Sequence, residues 1–303
     1  MAPQNDAISH LVNALATREQ LAFSNSQQDG VSPDLERSML SAGARLTQTA
    51  GILLRLPQDI VAQAIVLLQR FWLGPDGGSV QNNDVQVSSD SRSRIFNKFV
   101  LTLVQDISAA ALYLVAKLSV LPKSPRSVIN TYAYLDSFPT TFTTKQAFVE
   151  GSSSEAYYVS EGTYHVKRDQ LAENEMLILK TLGFDTHVAL PYNICINYLQ
   201  ALDVFNDPEA AAVLSKRAFA HLNTALLSPQ LVYLTHQPSS LATAAIYLAA
   251  KEVGIKLPAE EWWEVFDTDR EELGFLVVAM ISMEGFVREE ADRWAGRKVP
   301  TKA

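Results

Sequence analysis

An eight-residue stretch rich in alanine and leucine occurs twice along the chain, once in each half. The first copy is Ala110–Lys117 (AALYLVAK) and the second is Ala244–Lys251 (AAIYLAAK). Apolar positions in and before the first copy fall on nearly every side of a helix, and a helix that is apolar all round is buried all round. Alanine and leucine also favour helix, because they lose little side-chain entropy there. The pattern predicts a duplicated domain with a buried central helix in each half.

The spacing of apolar residues around the first copy predicts five helices, with the repeated stretch inside the third. Gly183 follows the last of them as a helix-terminating glycine. Two polar stretches, at 74–93 and 136–161, lack helical spacing and predict long loops. The five helices are expected at about 33–54, 57–72, 95–120, 127–135 and 164–182.

The second half repeats this plan with shorter connections. Its central helix is again the third, and the helices are expected at about 192–202, 208–227, 238–253, 258–266 and 270–288. Because the repeated stretch lacks the strict alternation of a half-exposed strand and the other elements are predicted as helices, the sequence predicts an all-α protein. It consists of two five-helix bundles, each around a buried central helix.

An apolar stripe near the start of the chain predicts a short amphipathic N-terminal helix. The stripe is formed by Ile8, Leu11, Val12, Leu15 and Leu21. An isolated helix of this length is marginal in water, so it is expected to dock either on the rest of this chain or on a partner. The predicted organisation is therefore an N-terminal helix and extended segment (1–32), a first bundle (33–186), a second bundle (187–288) and a tail (289–303).

Composition narrows the compartment and the class of partner. The chain has 48% hydrophobic and 19% charged residues, which is typical of a globular protein with enough apolar material for two cores. Its net charge of −8 argues against a nucleic-acid-binding surface. No N-terminal stretch has the pattern of a signal peptide, and the longest apolar run, near 273–283, is too short to span a bilayer. We expect an intracellular protein that is not embedded in a membrane.

The sequence offers no motif for catalysis, a cofactor or a metal ion. Gly77-Gly78 lacks the flanking strand and helix of a phosphate-binding loop. The five histidines show no i, i+4 pairs, and the single cysteine, Cys195, lies between isoleucines, as an inert buried thiol would. A Ser-His-Asp triad has no fixed spacing, but no nucleophile-elbow motif supports one. We expect a protein that is not an enzyme and has no cofactor.

Four motifs resemble the L-type cyclins, a branch of the cyclins associated with transcription and splicing. They are Ala50–Gln58 (AGILLRLPQ), Gln69–Phe71 (QRF), Ser124–Asn130 (SPRSVIN) and Leu179–Phe184 (LKTLGF). The resemblance covers about residues 8–286 and implies that the two bundles are tandem cyclin boxes.

The resemblance also implies which residues bind a kinase. In cyclins a lysine at the end of the central helix of the first box and a glutamate on its fifth helix hold the regulatory helix of the kinase; here they match Lys117 and Glu175. Leu118, Ile178 and Leu182 are expected to supply apolar contact area beside the pair. From the residues alone, the favoured interpretation of Lys117 is a solvated cation that complements the helix dipole, and the corresponding interpretation of Glu175 is a surface carboxylate. Because cyclins usually engage the kinase through the first box, the duplicate Lys251 is not expected to be a contact.

The function that the resemblance implies is that of a nuclear regulatory subunit. It would form a heterodimer with a cyclin-dependent serine/threonine kinase linked to transcription and pre-mRNA splicing, with splicing or transcription factors as further partners. The alternative is a scaffold of the same fold that binds transcription factors or nucleic acid, as TFIIB-type proteins do. The acidic net charge and the lack of a basic stripe argue against direct binding to nucleic acid.

Overall fold

A computed structural model describes most of the chain, and all the regular elements in the described part are helical. The predicted loops at 74–93 and 136–161 lie largely outside the described residues, as do residues 1–10 and most of the predicted tail. For helix residues 92–103 only the backbone is described. The described ranges are 11–22, 24–28, 30–73, 92–138, 157–257 and 261–295.

The chain divides into two compact units. The N-terminal unit comprises Arg18–Thr186 together with the segment from Arg288 onward. The C-terminal unit comprises His187–Val287 together with the residues before Arg18. The main chain thus passes between the units three times: at Thr17–Arg18, at Thr186–His187 within the connector that precedes the second set of helices, and at Val287–Arg288.

The N-terminal unit contains two short helices followed by the five that the sequence predicts. Serines start three of the five, because Ser32, Ser124 and Ser160 each accept a hydrogen bond from a backbone N–H three residues later. The helices are α1 (Arg18–Ala22), α2 (Asn25–Gln28), α3 (Pro33–Leu53), α4 (Gln58–Leu73), α5 (Arg92–Leu118), α6 (Pro125–Asp136) and α7 (Glu161–Thr181).

Helix α5 is the buried axis of this unit. Within the repeated stretch, Ala110, Ala111, Leu112 and Ala116 have no exposed surface. The helix packs against α3, α4, α6 and α7. Alanines along it allow these neighbours to approach closely, which confirms the prediction of a central helix.

A chain of hydroxyl groups joins three helices inside this core. Tyr132 on α6 lies 2.7 Å from Ser108 on α5, which lies 2.7 Å from Thr47 on α3. The Thr47 hydroxyl donates to the Gly43 carbonyl at 2.9 Å. Because that carbonyl can only accept, the Thr47 hydroxyl must donate to it. Ser108 therefore donates to Thr47, and Tyr132 donates to Ser108. The polar groups are therefore satisfied in a setting where an unpaired one would be costly.

Replacing Tyr132 with phenylalanine is expected to lower the free energy of unfolding by about 1–2 kcal/mol, because Ser108 loses a donor. The effect should depend on pH. Burial raises the pKa of Tyr132, so above pH ~10 the unfolded chain ionises this residue while the folded chain does not. Stability should then fall as pH rises, and less steeply in the Tyr132→Phe variant. Urea titrations of both proteins at pH 8 and pH 10.5 measure how much the free energy of unfolding falls between the two pH values. An equal fall in the two proteins would contradict the prediction. Burial also raises the pKa of Tyr233, so part of the fall in stability with pH should remain in both the original protein and the Tyr132→Phe variant.

The C-terminal unit is arranged around the second copy of the repeated stretch. This copy lies in α11, where Ala244, Ala245 and Ile246 have no exposed surface, and α11 packs against α8 and α9. The helices of the second half are α8 (Pro191–Ala201), α9 (Pro208–Ala225), α10 (Val232–Thr235), α11 (Pro238–Val253) and α12 (Arg270–Arg293).

The fourth helix predicted for this unit, at 258–266, is wrong in the part that is described. There the chain forms only a 3-10 turn over Glu264–Phe266, ended by Asp267 in the left-handed region at φ 55°. The ring of Phe266 stacks on Tyr198 with centroids 3.9 Å apart, and Trp262 packs edge-on against Phe266. These aromatic contacts fix the segment as a compact turn.

In the described part of the N-terminal stripe, Leu11, Val12 and Leu15 are not in an α-helix, whereas Leu21 lies in α1. Residues 12–17 have no regular structure, and helix begins only at Arg18. Asn13 explains the difference: it donates to the Ala189 carbonyl and accepts from the Ala189 N–H, both at 2.8 Å. Gln237 bonds the Asn13 backbone on both sides, at 3.0 and 3.1 Å. The segment is therefore held on this chain, within the C-terminal unit, by contacts that only a non-helical backbone can make.

Candidate partner-binding site

Lys117 and Glu175, which the sequence assigns to one site, form an ion pair. The Lys117 ammonium donates to Glu175 Oε1 at 2.6 Å. The lysine side chain is 51% exposed and the glutamate side chain 11% exposed. The pair is thus neither split between different faces nor sealed inside the unit, and its lysine side can be reached by another molecule.

The direction of two helices brings this pair together. Lys167 on α7 lies 3.7 Å from Asp106 on α5, and further along both helices Glu175 meets Lys117. Helices α5 and α7 therefore run the same way, and their C-terminal ends lie at the same end of the unit. The residues that follow the two helices are placed there as well.

The pair is charged and keeps bonding capacity for a partner. Its hydrogen bond to Glu175 raises the pKa of Lys117, and the ammonium also lies 5.7 Å from the centre of the Tyr113 ring. The position at the end of α5 further favours a cation. Among the described residues, neither side chain makes a second hydrogen bond. Two ammonium protons and one carboxylate oxygen remain available.

Exposed apolar side chains lie at the same end of the unit as the pair. Leu118 is 62% exposed and Val120, just beyond α5, is 91% exposed. Phe184, just beyond α7, is 63% exposed and has the left-handed backbone, φ 64°, that follows the helix-ending Gly183. Apolar area next to a charged pair is typical of surfaces that bind another protein.

The predicted apolar contacts divide between surface and core. Leu118 is at the surface and Leu182 is partly exposed, but Ile178 has no exposed surface. Ile178 lies on the same line of α7 as Leu171 and Glu175, which are also buried. The prediction is wrong for Ile178, because a side chain with no exposed surface cannot touch a partner.

Phe184 is the surface residue that the sequence did not identify. The nearest signal was its place after Gly183, where an apolar residue normally packs back on the helix it follows. Here the backbone bond of that motif is present, from the Phe184 N–H to the Leu179 carbonyl at 2.8 Å, but the ring stays exposed. Exposure of a single ring depends on its neighbours in space, and no local pattern carries it.

The second copy of the repeated stretch ends with different pairing. Lys251 lies 5.4 Å from the Tyr247 ring, as Lys117 does from Tyr113, but no carboxylate in the described residues is within ion-pair distance of it. The adjacent Glu252 instead bonds Arg217 and, at 2.9 Å, His221. The two copies share a buried helix and differ in the charges they present.

The described residues hold no group of three or more histidine, cysteine or acidic side chains arranged for a metal ion. Cys195 is buried, and burial raises the pKa of its thiol to about 12. Within the described ranges, none of the helices has the length and apolar content that crossing a membrane requires.

Similarity to known proteins agrees with the motifs. Over 283 residues, 93% of the chain, it is 29% identical to Cyclin-L1 of Gallus gallus and 28% identical to Cyclin-L2 of Homo sapiens. The chain is similar to the L-type cyclins. It spans 45% and 46% of these two relatives, less than half of their length. No family model matches the chain.

Solved structures show that the fold is that of the cyclins. A chain of the yeast RNA Pol II CTD kinase CTDK-1 complex matches with a TM-score of 0.63 over 92% of this chain and 76% of that chain, at 13% identity. A viral cyclin from herpesvirus saimiri matches with a TM-score of 0.53 over 84% of this chain and 86% of its own, at 16% identity. These matches confirm the predicted all-α fold of tandem cyclin boxes.

Proposed function

We propose that the chain is the regulatory subunit of a cyclin-dependent protein kinase linked to transcription, and is not itself the enzyme. The observation that carries the proposal is the Lys117–Glu175 pair, accessible at one end of the N-terminal unit, where apolar side chains such as Leu118 and Phe184 are also exposed. The similarity to Cyclin-L1 and Cyclin-L2 over most of the chain supports it.

The pair suits the capture of a helix. Its free ammonium protons can donate to carbonyls and its free carboxylate oxygen can accept from N–H groups of a partner, so the two charges fix register and orientation. Leu118, Leu182 and Phe184 would supply the apolar area that gives affinity.

Capture of the helix would activate the kinase. A kinase needs a glutamate on its regulatory helix to pair with the lysine that contacts ATP, and the position of that helix is what a regulatory subunit controls. A rigid surface on α5 and α7 is suited to this task, because both helices are anchored in the core of the unit.

We further propose a nuclear location and a role connected with pre-mRNA splicing, both from the resemblance to the L-type cyclins. Splicing or transcription factors would then be additional partners, and no cofactor is required. The scaffold alternative would place the same fold on nucleic acid or on a transcription factor without a kinase.

Purification of the tagged chain from its own cells tests the proposal. We expect a kinase to co-purify in near-equal amount, and the complex to phosphorylate a peptide of the RNA polymerase II C-terminal domain. The kinase without this chain should be at least about tenfold less active. Recovery without any kinase, together with salt-sensitive DNA binding, would overturn the proposal in favour of the scaffold.

A further inference from the structure

The last helix, α12, has an apolar outer face. Phe275, Val278 and Ile281 are 49%, 65% and 58% exposed. Leu273, Leu276 and Met280 of the same helix are buried, so α12 already has an inward face that packs in the core. A helix with a second apolar face exposed to water is typical of an interaction surface.

This outer face has the spacing of a helix–helix seam. Residues separated alternately by three and four positions line one side of a helix. Such a row along α12 has seven members, all exposed: Glu271, Gly274, Val278, Ile281, Gly285, Arg288 and Asp292.

Among the described residues, no steric contact requires either of the two glycines in the row. A Cβ added at Gly274 or Gly285 would meet nothing within 4 Å. Glycine inside a helix is destabilising relative to alanine, so its presence at both places needs another reason. Close approach of a second backbone is such a reason, and both glycines face the same side as Val278 and Ile281.

The charges decide what covers the row. If a second copy of α12 packs antiparallel about a two-fold axis between Val278 and Ile281, each residue from Glu271 to Arg288 faces a residue of opposite charge or similar size. Glu271 faces Arg288, Gly274 faces Gly285, and Val278 faces Ile281. In a parallel pair, Glu271 would face Glu271 and Arg288 would face Arg288, which is repulsive at both ends. Only the antiparallel arrangement matches size and charge from Glu271 to Arg288, and Asp292 then extends beyond the start of the partner copy's α12.

We propose that α12 is a dimerisation helix through which two copies of this chain pack antiparallel about a two-fold axis. Such an interface is self-complementary, as closed two-fold contacts must be. A single helix pair is small for a protein interface, so the dimer should be weak and concentration-dependent, with a Kd on the order of micromolar. The inference does not depend on the kinase.

Sedimentation of the full chain tests this. We expect a monomer–dimer equilibrium that Val278→Glu weakens by about tenfold or more, because it puts a charge in the seam without touching the core. Arg288→Glu and Glu271→Arg should each weaken the dimer, and the two together should restore it. Lys216→Glu, an exposed change on α9, is the matched control and should have no effect. A chain that stays monomeric at all concentrations would overturn the proposal. So would a Val278→Glu variant that dimerises normally, including one that dimerises normally but no longer binds a different protein.

Engineered cysteines test the direction. Gly274→Cys combined with Gly285→Cys should give disulfide-linked dimers, because the two positions face each other across the axis. Gly274→Cys alone should not, because in an antiparallel pair the two copies of that position lie about 16 Å apart along the helices. Native Cys195 is buried and should not interfere. Efficient cross-linking by Gly274→Cys alone would show a parallel pair and refute the proposed interface.

Discussion

Reversing the charge of Lys117 is expected to abolish kinase binding and to leave folding nearly unchanged. Lys117→Glu places a carboxylate beside Glu175, so the partner helix loses its donors and meets two negative charges. We expect binding to weaken by about a hundredfold or more, on the scale where each factor of ten is about 1.4 kcal/mol. The free energy of unfolding should change by about 1 kcal/mol, because the lysine side chain is half exposed.

A double exchange separates recognition from structure. Lys117→Glu with Glu175→Lys rebuilds an ion pair of reversed polarity, so stability should recover while kinase binding stays lost. The matched control is the exposed pair Arg126 and Glu161, 2.7 Å apart in the same unit, whose exchange should leave binding intact. Isothermal titration with the purified kinase and thermal unfolding measure the two effects. If the exchanged pair binds the kinase normally, the Lys117–Glu175 pair serves only the internal structure and the proposed site is refuted.

The central helices could be predicted from sequence because burial on all sides leaves a local record. Every residue of Ala110–Ala116 except Tyr113 is buried, and the same holds for Ala244–Ala250 except Tyr247. The pairing of Lys117 with Glu175 was predicted only through the resemblance to cyclins. Spacing alone could not join residues on different helices, and at Lys251 the same local sequence ends without a carboxylate partner in the described part of the chain.

The errors all involve contacts between residues far apart in sequence. The apolar stripe at 11–15 has helical spacing, but Asn13 is bonded to Ala189 and Gln237, which no local pattern can foresee. Ile178 is apolar and lies three residues after Glu175, as a contact residue could, and only the packing of α7 on α5 shows that it belongs to the core. In each case tertiary contacts decided between two structures that the local sequence allowed.

The family-specific motif Ala50–Gln58 combines core and surface positions. Leu54 and Leu56 are buried, whereas Ile52 and Leu53 are exposed at the end of α3. Arg55 turns the chain with a left-handed backbone, φ 53°, before α4 begins. Gly51 is the residue of the motif for which the structure gives a steric reason.

Gly51 lies where α3 and α4 approach too closely for any side chain. A Cβ at this position would lie 2.4 Å from Val61 Cγ2, a separation that real contacts essentially never show. Val61 is 1% exposed. As a β-branched residue in a helix it has one strongly preferred χ1 rotamer, so it cannot easily turn away. Gly51→Ala is therefore expected to force the two helices apart and to lower the free energy of unfolding by about 3 kcal/mol.

Removing the obstructing methyl groups should rescue this variant. Val61→Ala alone leaves a small cavity and should cost roughly 2 kcal/mol. In the double variant the new methyl group occupies part of that cavity, so the protein should be no less stable than Val61→Ala alone. The two changes would then be coupled by about 3 kcal/mol, far from additive. Gly162→Ala, at an exposed position of α7 where a Cβ meets nothing within 4 Å, is the control and should not destabilise the protein. Denaturant titration of the original protein, the two single variants and the double variant measures this double-mutant cycle. If the costs of Gly51→Ala and Val61→Ala simply add, the close approach of α3 and α4 is not what requires glycine in this motif.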